Sequence, residues 1–481
     1  MKTQSTFWPS ALFLSVFAAV IWADWALLNS GDHYKDINIE KLSQETMEPT
    51  ALGFSASQAE VTLAKGLIKQ LLKDEKSGSA IFEQSAFSDE PLAVQNEIIH
   101  RLTSRLIKKR DHQKLIELVG QLTLERRLQA RGQFHYAQAL SRTRQRGLAI
   151  DEYRLLLAQQ PAHQAAAINL GLLLNKSHRY QEAEIVLLNA VAMSSGARKA
   201  KALSALASAR KNMGKLVEAE EDYERSIEYR PSHAATWLKL ADMRRQLDLP
   251  KVHTVKTYER AVSLNSGQSK PWHKLGSYRL EKLDFIGAIA SLNRAQELSA
   301  RDDQLRIDLA WATLEADEQP LARQHWSWLA KHAKSKSDRL LAAHMLSLLN
   351  RQQTALKPLS SKRDDYRYAS ALLKIQTGQT HNAVALLESL QKTSHWWPRA
   401  QLRLGQLMAA AEKIEQAQQH YAQLLQHNLH QPQIWQQSIQ QLRAAGKPRQ
   451  ALNRLQQALG DYPQSLPLLV LKLELLKQLQ A

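Results

Sequence analysis

Small side chains recur at a fixed spacing along most of this chain. Gly171 and Ala183 stand twelve positions apart, and Gly276 and Ala288 repeat the same step. Five further pairs share it: Ala137/Ala149, Ala207/Ala219, Ala310/Ala322, Ala371/Ala383 and Gly405/Ala417. A large residue follows each second small residue by four positions, and apolar residues around the pairs recur at helical spacing. The pattern predicts two amphipathic helices for each pair.

The helix pairs form repeated units. We place the starts of the units near residues 130, 164, 200, 234, 269 and 303, and again near 364, 398 and 432. No such unit can bury its apolar face alone, so the array predicts a stack of helix pairs. We expect the small residues to let the two helices of a unit approach closely. We expect the large residue of the second helix to pack against the next unit.

One unit carries the pattern most completely, with Trp272, Leu275, Gly276, Ala288, Leu292 and Ala295. This pattern resembles the tetratricopeptide repeat (TPR) family, and the resemblance extends over about 320 residues in several units. It implies an all-α fold, a right-handed superhelical solenoid of helix-turn-helix units. It also implies a protein that binds other proteins rather than an enzyme, with no cofactor.

The periodicity and its interruptions predict seven segments. They are a membrane anchor or signal peptide at 1–28, a polar stalk at 29–54, a helical region with a degenerate repeat at 55–129, a first TPR array at 130–336, a shortened irregular repeat at 337–363, a second array at 364–465 and a capping helix at 466–481.

The N-terminal segment carries the localisation prediction. An apolar run from Phe7 to Leu28 is long enough to cross a bilayer as one transmembrane helix. Lys2 precedes it and an acidic stretch follows it, so the positive-inside bias places the body outside the cytoplasm. We therefore expect a single-pass inner-membrane protein with its body in the periplasm. Cleavage after Ile21-Trp22-Ala23, which would release the body into the periplasm, remains the alternative.

The composition and the absence of certain motifs exclude several kinds of chemical site. The chain has no cysteine, which excludes disulfides and thiolate metal sites. No phosphate-binding loop, nucleophile elbow or HExxH motif is present, so we predict no catalytic residues, metal or cofactor. Trp326 occupies a core position, whereas Trp396-Trp397 is open to two interpretations, helix packing or a binding patch.

A net charge of +18 favours anionic partners, and a solvated surface whose charge only keeps the protein soluble is the alternative. The TPR resemblance implies that side chains of the first helix in each unit line a groove for extended peptides or partner helices. Carried onto this chain, the groove positions are mostly cations: Arg131, Arg142, Lys176, Lys201, Lys211, Asn212, Lys239, Arg245, Lys270 and Lys274. Lys270 and Lys274 match the last pair of the family's carboxylate clamp, but Lys239 stands where that clamp has asparagine.

These features lead to one hypothesis and two alternatives. The hypothesis is a non-enzymatic scaffold of a bacterial envelope assembly that binds acidic or extended protein segments through a basic groove. The first alternative is a regulatory or nucleic-acid-associated TPR protein facing the cytoplasm. The absence of interleaved aromatic and basic residues disfavours it. The second is a carbohydrate-binding subunit of a polysaccharide export system.

Overall fold

The computed structural model describes residues 90–120, 122, 127, 132–299, 301–352, 358–359, 362–427 and 432–480. In these ranges the chain forms 22 α-helices and no strand, as the sequence predicts. The predicted anchor and stalk lie outside the described residues. No helix in the described part is both long enough and apolar enough to cross a membrane.

The helices fall into two compact units, one ending at Tyr229 and the other beginning at Arg230. The first unit contains α1 (Leu92–Lys109), α2 (His112–Gly120), α3 (Gln133–Arg142), α4 (Arg146–Gln159), α5 (Gln164–Lys176), α6 (Tyr180–Met193), α7 (Gly196–Asn212) and α8 (Leu216–Tyr229). From α3 onward they alternate as the first helix, which we call helix A, and the second, helix B, of each repeat.

The second unit continues the alternation, except at α15, which stands between two repeats. It contains α9 (Ala234–Gln246), α10 (Lys251–Leu264), α11 (Ser269–Glu281), α12 (Phe285–Leu298), α13 (Asp303–Glu315), α14 (Gln319–His332), α15 (Lys336–Leu349), α16 (Asp364–Gln376), α17 (Thr380–Glu388), α18 (Trp397–Ala410), α19 (Ile414–Gln426), α20 (Pro432–Ala444), α21 (Pro448–Asp461) and α22 (Leu466–Gln480). Helix A starts within a few residues of each expected unit start, the largest differences being at α3, which starts at Gln133, and α7, which starts at Gly196.

Close packing within each repeat depends on the small residue of helix A, but its neighbour differs from our expectation. A Cβ atom added to Gly276 would lie 2.5 Å from Cγ of Leu292, and one added to Gly171 would lie 2.4 Å from Cγ of Leu187. The large residue of helix B therefore packs over the glycine of its own repeat. It follows that the step of sixteen residues, rather than twelve, sets the distance between the two helices.

The turn between helix A and helix B repeats the same backbone conformation. A residue with positive φ follows helix A, and the next amide closes the turn; for example, Arg179 donates to the carbonyl of Leu174 at 3.0 Å. This left-handed turn caps the free carbonyls of the helix end. Only three of the nine turns use glycine; the positions are Arg144, His178, Gly214, Asp248, Leu283, Asp317, Gly378, Glu412 and Gly446.

The segment 337–363, expected to hold a shortened repeat, contains α15 almost entirely. Arg351 has a φ of 52°, so α15 ends in the same turn as a helix A. Leu341, Ala342 and Met345 are fully buried in the core of the second unit. α15 thus supplies the apolar face of a helix A at the point where the regular spacing breaks.

Candidate functional site

The predicted groove residues lie on helix A of successive repeats, in both units. Arg131 lies outside the described residues. Lys239 and Lys270 are exposed on α9 and α11, Lys211 is partly exposed near the end of α7, and the amide of Asn212 donates to the carbonyl of Ser208 at 2.8 Å. The cations of the two units differ in their neighbours.

Several of the predicted cations occupy the last turn of their helix. Arg142 ends α3, Lys176 ends α5, and Lys211 lies in the last turn of α7. In the second unit Arg245 has the same place in α9. A positive charge at a helix C-terminus is stabilised by the free carbonyls and the helix dipole. Helix capping therefore explains part of the basic pattern without any ligand.

Lys201 does not fit that explanation, because it lies well inside α7. Its Nζ donates to Oδ1 of Asn169 on α5 at 3.2 Å. Nδ2 of Asn169 in turn donates to the hydroxyl of Tyr153 on α4 at 3.3 Å. Arg142 on α3 acts electrostatically on both Lys201 and Tyr153. We call Arg142, Tyr153, Asn169 and Lys201 the Lys201 cluster; it joins three consecutive repeats.

The Lys201 cluster carries positive charge without internal compensation. Partial burial lowers the pKa of the Lys201 ammonium group, and the positive charge of Arg142 lowers it further. Burial raises the pKa of Tyr153 to about 12, so its phenol is neutral near pH 7. Among the described residues, no carboxylate forms an ion pair with Arg142 or Lys201. An anion placed here would relieve the repulsion between the two cations.

Two of the predicted groove cations of the second unit, Lys274 and Arg245, have acidic partners. Lys274 forms an ion pair with Asp242 one repeat earlier, and the hydroxyl of Tyr258 donates to the same carboxylate at 2.8 Å. Arg245 pairs with Glu281 at 2.6 Å. These pairs neutralise two of the predicted groove cations. The second unit is therefore less suited than the Lys201 cluster to hold an acidic ligand.

The helix A face of α11 and α13 is also covered by the chain itself. Trp311 of α13, which is fully buried, meets the ring of Trp396 with centroids 4.9 Å apart and the ring of Tyr368 at 5.7 Å. Trp397 is buried beside Leu283 in a neighbouring core. Of the two interpretations of Trp396-Trp397, the structure shows packing: Trp396 lies against Tyr368 of the preceding repeat and Trp311 of a more distant one.

Two arginines of α18 also contact α11 and α13. Arg399, only 3% exposed, donates to the carbonyl of Leu280 at 3.2 Å and lies 4.3 Å from the ring centre of Trp396. Arg403 pairs with Glu315 at 3.1 Å, and Glu315 also accepts from the hydroxyl of Tyr368 at 2.7 Å. We call the surface formed by Leu280, Trp311 and Glu315, together with the residues that cover it, the closed face.

Sequence reasoning did not identify the closed face. Its contacts join residues that are 53 to 119 positions apart along the chain. The available signals were the irregular spacing before residue 364, the Trp396-Trp397 pair and the arginines four residues apart on α18. Each signal also has a local explanation. The contact becomes visible only in the folded chain, where these residues lie against the distant repeats. Within the described ranges, no three His, Asp or Glu side chains are grouped as a metal site requires.

Comparison with known proteins agrees with this architecture. A profile of the tetratricopeptide repeat matches residues 200–233, the repeat formed by α7 and α8 that contains Lys201. No curated protein matches the sequence.

Solved structures with similar folds share little sequence with this chain. PilF of Pseudomonas aeruginosa is 17% identical, with a TM-score of 0.35 over 48% of this chain and 100% of PilF. The C-terminal part of a TPR repeat-containing protein of Cytophaga hutchinsonii is 14% identical, with a TM-score of 0.40 over 53% of this chain and 99% of that one. YrrB, a TPR protein with an unusual peptide-binding site, is 15% identical, with a TM-score of 0.34 over 41% of this chain and 97% of YrrB.

The matched repeat, the helix pairs and their recurring turns lead to one conclusion about the described part of the chain. In each of the two units it is an all-helical stack of TPR-like helix pairs.

Proposed function

We propose that this protein is a non-enzymatic interaction scaffold and that the Lys201 cluster receives an acidic segment of a partner protein. The observation that carries the proposal is the approach of Lys201 and Arg142 from different repeats without a carboxylate between them. Asn169 adds an amide that can exchange its bond to Lys201 for one to a peptide backbone. A carboxylate bound here would make charge-assisted hydrogen bonds to both cations.

The second unit has a different part in this proposal. Its acidic partners and the closed face occupy the positions at which a ligand would otherwise contact α9, α11 and α13. Recruitment of the acidic segment then takes place in the first unit. This division explains why the same basic pattern serves binding in one unit and internal pairing in the other.

A single substitution tests the binding site. Lys201→Ala should weaken binding of a fluorescent glutamate-rich peptide by about tenfold, because it removes one of two charge-assisted contacts. The affinity of the wild type should fall as salt rises, since the cluster is open to solvent. Lys199→Ala is the matched control on the same helix, because Lys199 lies 5.2 Å from the ring of Tyr229 instead. Fluorescence anisotropy at several salt concentrations measures both effects; equal losses in the two variants would contradict the proposal.

We further propose that the scaffold belongs to a bacterial envelope assembly, with residues 1–28 as its inner-membrane anchor and its body in the periplasm. The support is the apolar run from Phe7 to Leu28 with Lys2 before it and acidic residues after it. Protease added to spheroplasts should digest the body while a cytoplasmic marker stays intact. A body that is protected until the membrane is lysed would contradict the export, and release into the soluble periplasmic fraction would favour cleavage.

A further inference from the structure

Helix α22 buries one apolar face and exposes another. Leu468, Leu471 and Leu475 are buried in the core that includes α20 and α21. The opposite side carries Leu466, Leu469, Val470, Leu473 and Leu476, of which Leu466 is 72% and Leu473 62% exposed. We call these five residues the α22 stripe. A helix that served only to close the array would carry polar residues here.

The spacing of the stripe is that of a helix-helix seam. Leu466, Leu469, Leu473 and Leu476 alternate steps of three and four residues, which is the a and d pattern of a coiled coil. On an α-helix these residues form a narrow line about 15 Å long. A helix that lies on a bilayer needs a broader apolar face and a polar face rich in Lys and Arg. The narrow seam favours another helix as the occupant.

Charge at the edges of the stripe selects the partner. Lys472 lies along one edge of the stripe, and Lys477 lies along the other edge. Glu474 is turned towards Arg443 of α20, with which it forms an ion pair. In a parallel pair of two α22 helices, Lys472 of one copy would lie opposite Lys477 of the other, five positions on. That like-charge contact disfavours a second copy and favours a helix with acidic flanks.

We propose that the α22 stripe docks an amphipathic helix of a partner protein, with leucine-type residues on its apolar face and glutamate or aspartate on both flanks. This surface is separate from the Lys201 cluster, and the proposal does not depend on binding there. It gives the scaffold a second, apolar mode of recognition, in which lysines determine which helices are accepted.

The test uses the full-length chain and two designed helical peptides of three heptads each. Both peptides carry leucine at a and d, and they differ only in having glutamate or lysine at e and g. The acidic peptide should bind at least about tenfold more tightly than the basic one. Leu473→Lys should weaken binding of the acidic peptide by about tenfold or more. Ile286→Lys is the matched control, because Ile286 is 73% exposed on α12 and lies outside the stripe.

Reversing the charges beside the α22 stripe should reverse its preference between the two peptides. The double variant Lys472→Glu with Lys477→Glu should prefer the basic peptide, because the flanking charges change sign while the leucines stay. Circular dichroism verifies that each variant keeps its helices, and Leu466→Lys replaces Leu473→Lys if the latter does not fold. Three results would overturn the proposal: equal binding of both peptides, binding of neither peptide, and a concentration-dependent dimer that Leu473→Lys abolishes. Binding of anionic vesicles in place of the acidic peptide would assign the stripe to a membrane surface instead.

Discussion

Glu315→Ala should destabilise the second unit by about 3 kcal/mol. The side chain of Glu315 is 4% exposed and accepts from both Arg403 and Tyr368. Its removal leaves a guanidinium group without its carboxylate and a buried phenol without an acceptor. Breaking a buried ion pair typically costs about 3–5 kcal/mol, and Arg403 remains 32% exposed, which places this change at the lower end. Hydrogen exchange should show lost protection in α13, α16 and α18.

Glu297→Ala is the control for this effect. Glu297 forms an exposed ion pair with Arg294 on α12, and pairs of that kind contribute about 0–1 kcal/mol. Glu315→Gln should lie between the two variants, because an amide keeps an acceptor for Tyr368 but loses the charge. If Glu315→Ala and Glu297→Ala lose the same stability, the closed face does not hold the distant repeats together.

Gly276→Trp should destabilise α11 and α12 by about 3 kcal/mol or more, at or above the usual range for overpacking. A Cβ at Gly276 would already lie 2.5 Å from Cγ of Leu292, and Leu292 is fully buried, so it cannot move aside. The indole would force the two helices of the repeat apart. Because stacked repeats contact mainly their neighbours, hydrogen exchange should change more in α11 and α12 than in α20 and α21.

Gly267→Trp provides the comparison, since nothing lies within 4 Å of a Cβ added at Gly267. It should change stability by no more than about 0.5 kcal/mol. Unchanged protection around α11 and α12 in Gly276→Trp would show that the glycine does not lie at the contact between helix A and helix B.

The repeat could be predicted from sequence because its signal is local and recurs in register. Small and large residues at fixed steps gave the helix pairs, and the helix A starts follow the predicted unit starts closely. The pattern did not predict which residue of helix B contacts the glycine of helix A, because the spacing of residues along the chain does not say which of them touch. Gly276 lies under Leu292 rather than opposite Ala288, one helical turn away along the second helix.

The turns were harder to predict for a related reason. A left-handed residue usually indicates glycine, yet Arg144, His178 and Leu283 adopt positive φ here. The hydrogen bonds that close the turn, together with the packing of both helices, hold these residues in a backbone conformation that residues other than glycine disfavour. Local propensity gives no sign of this, because the tertiary structure determines the backbone.

The candidate site was predictable only in its composition. The sequence indicated basic positions on helix A, and Lys201 and Arg142 were among them. It could not distinguish them from Lys274 and Arg245, whose acidic partners lie 32 and 36 residues away. Neutralisation depends on side chains that approach across repeats. The charge of a groove is therefore a property of the folded array rather than of its residue list.

The most direct test compares paired charge reversals in the two units. The first variant combines Arg142→Glu with Lys201→Glu, and the second combines Lys239→Glu with Lys270→Glu, which changes the net charge by the same amount. Affinity for the glutamate-rich peptide is measured by fluorescence anisotropy at physiological salt. We predict that the first variant loses at least about tenfold while the second stays within about twofold of the wild type. Equal losses, or a loss confined to the second variant, would contradict the account that the Lys201 cluster, rather than the helix A cations of the second unit, receives the glutamate-rich segment.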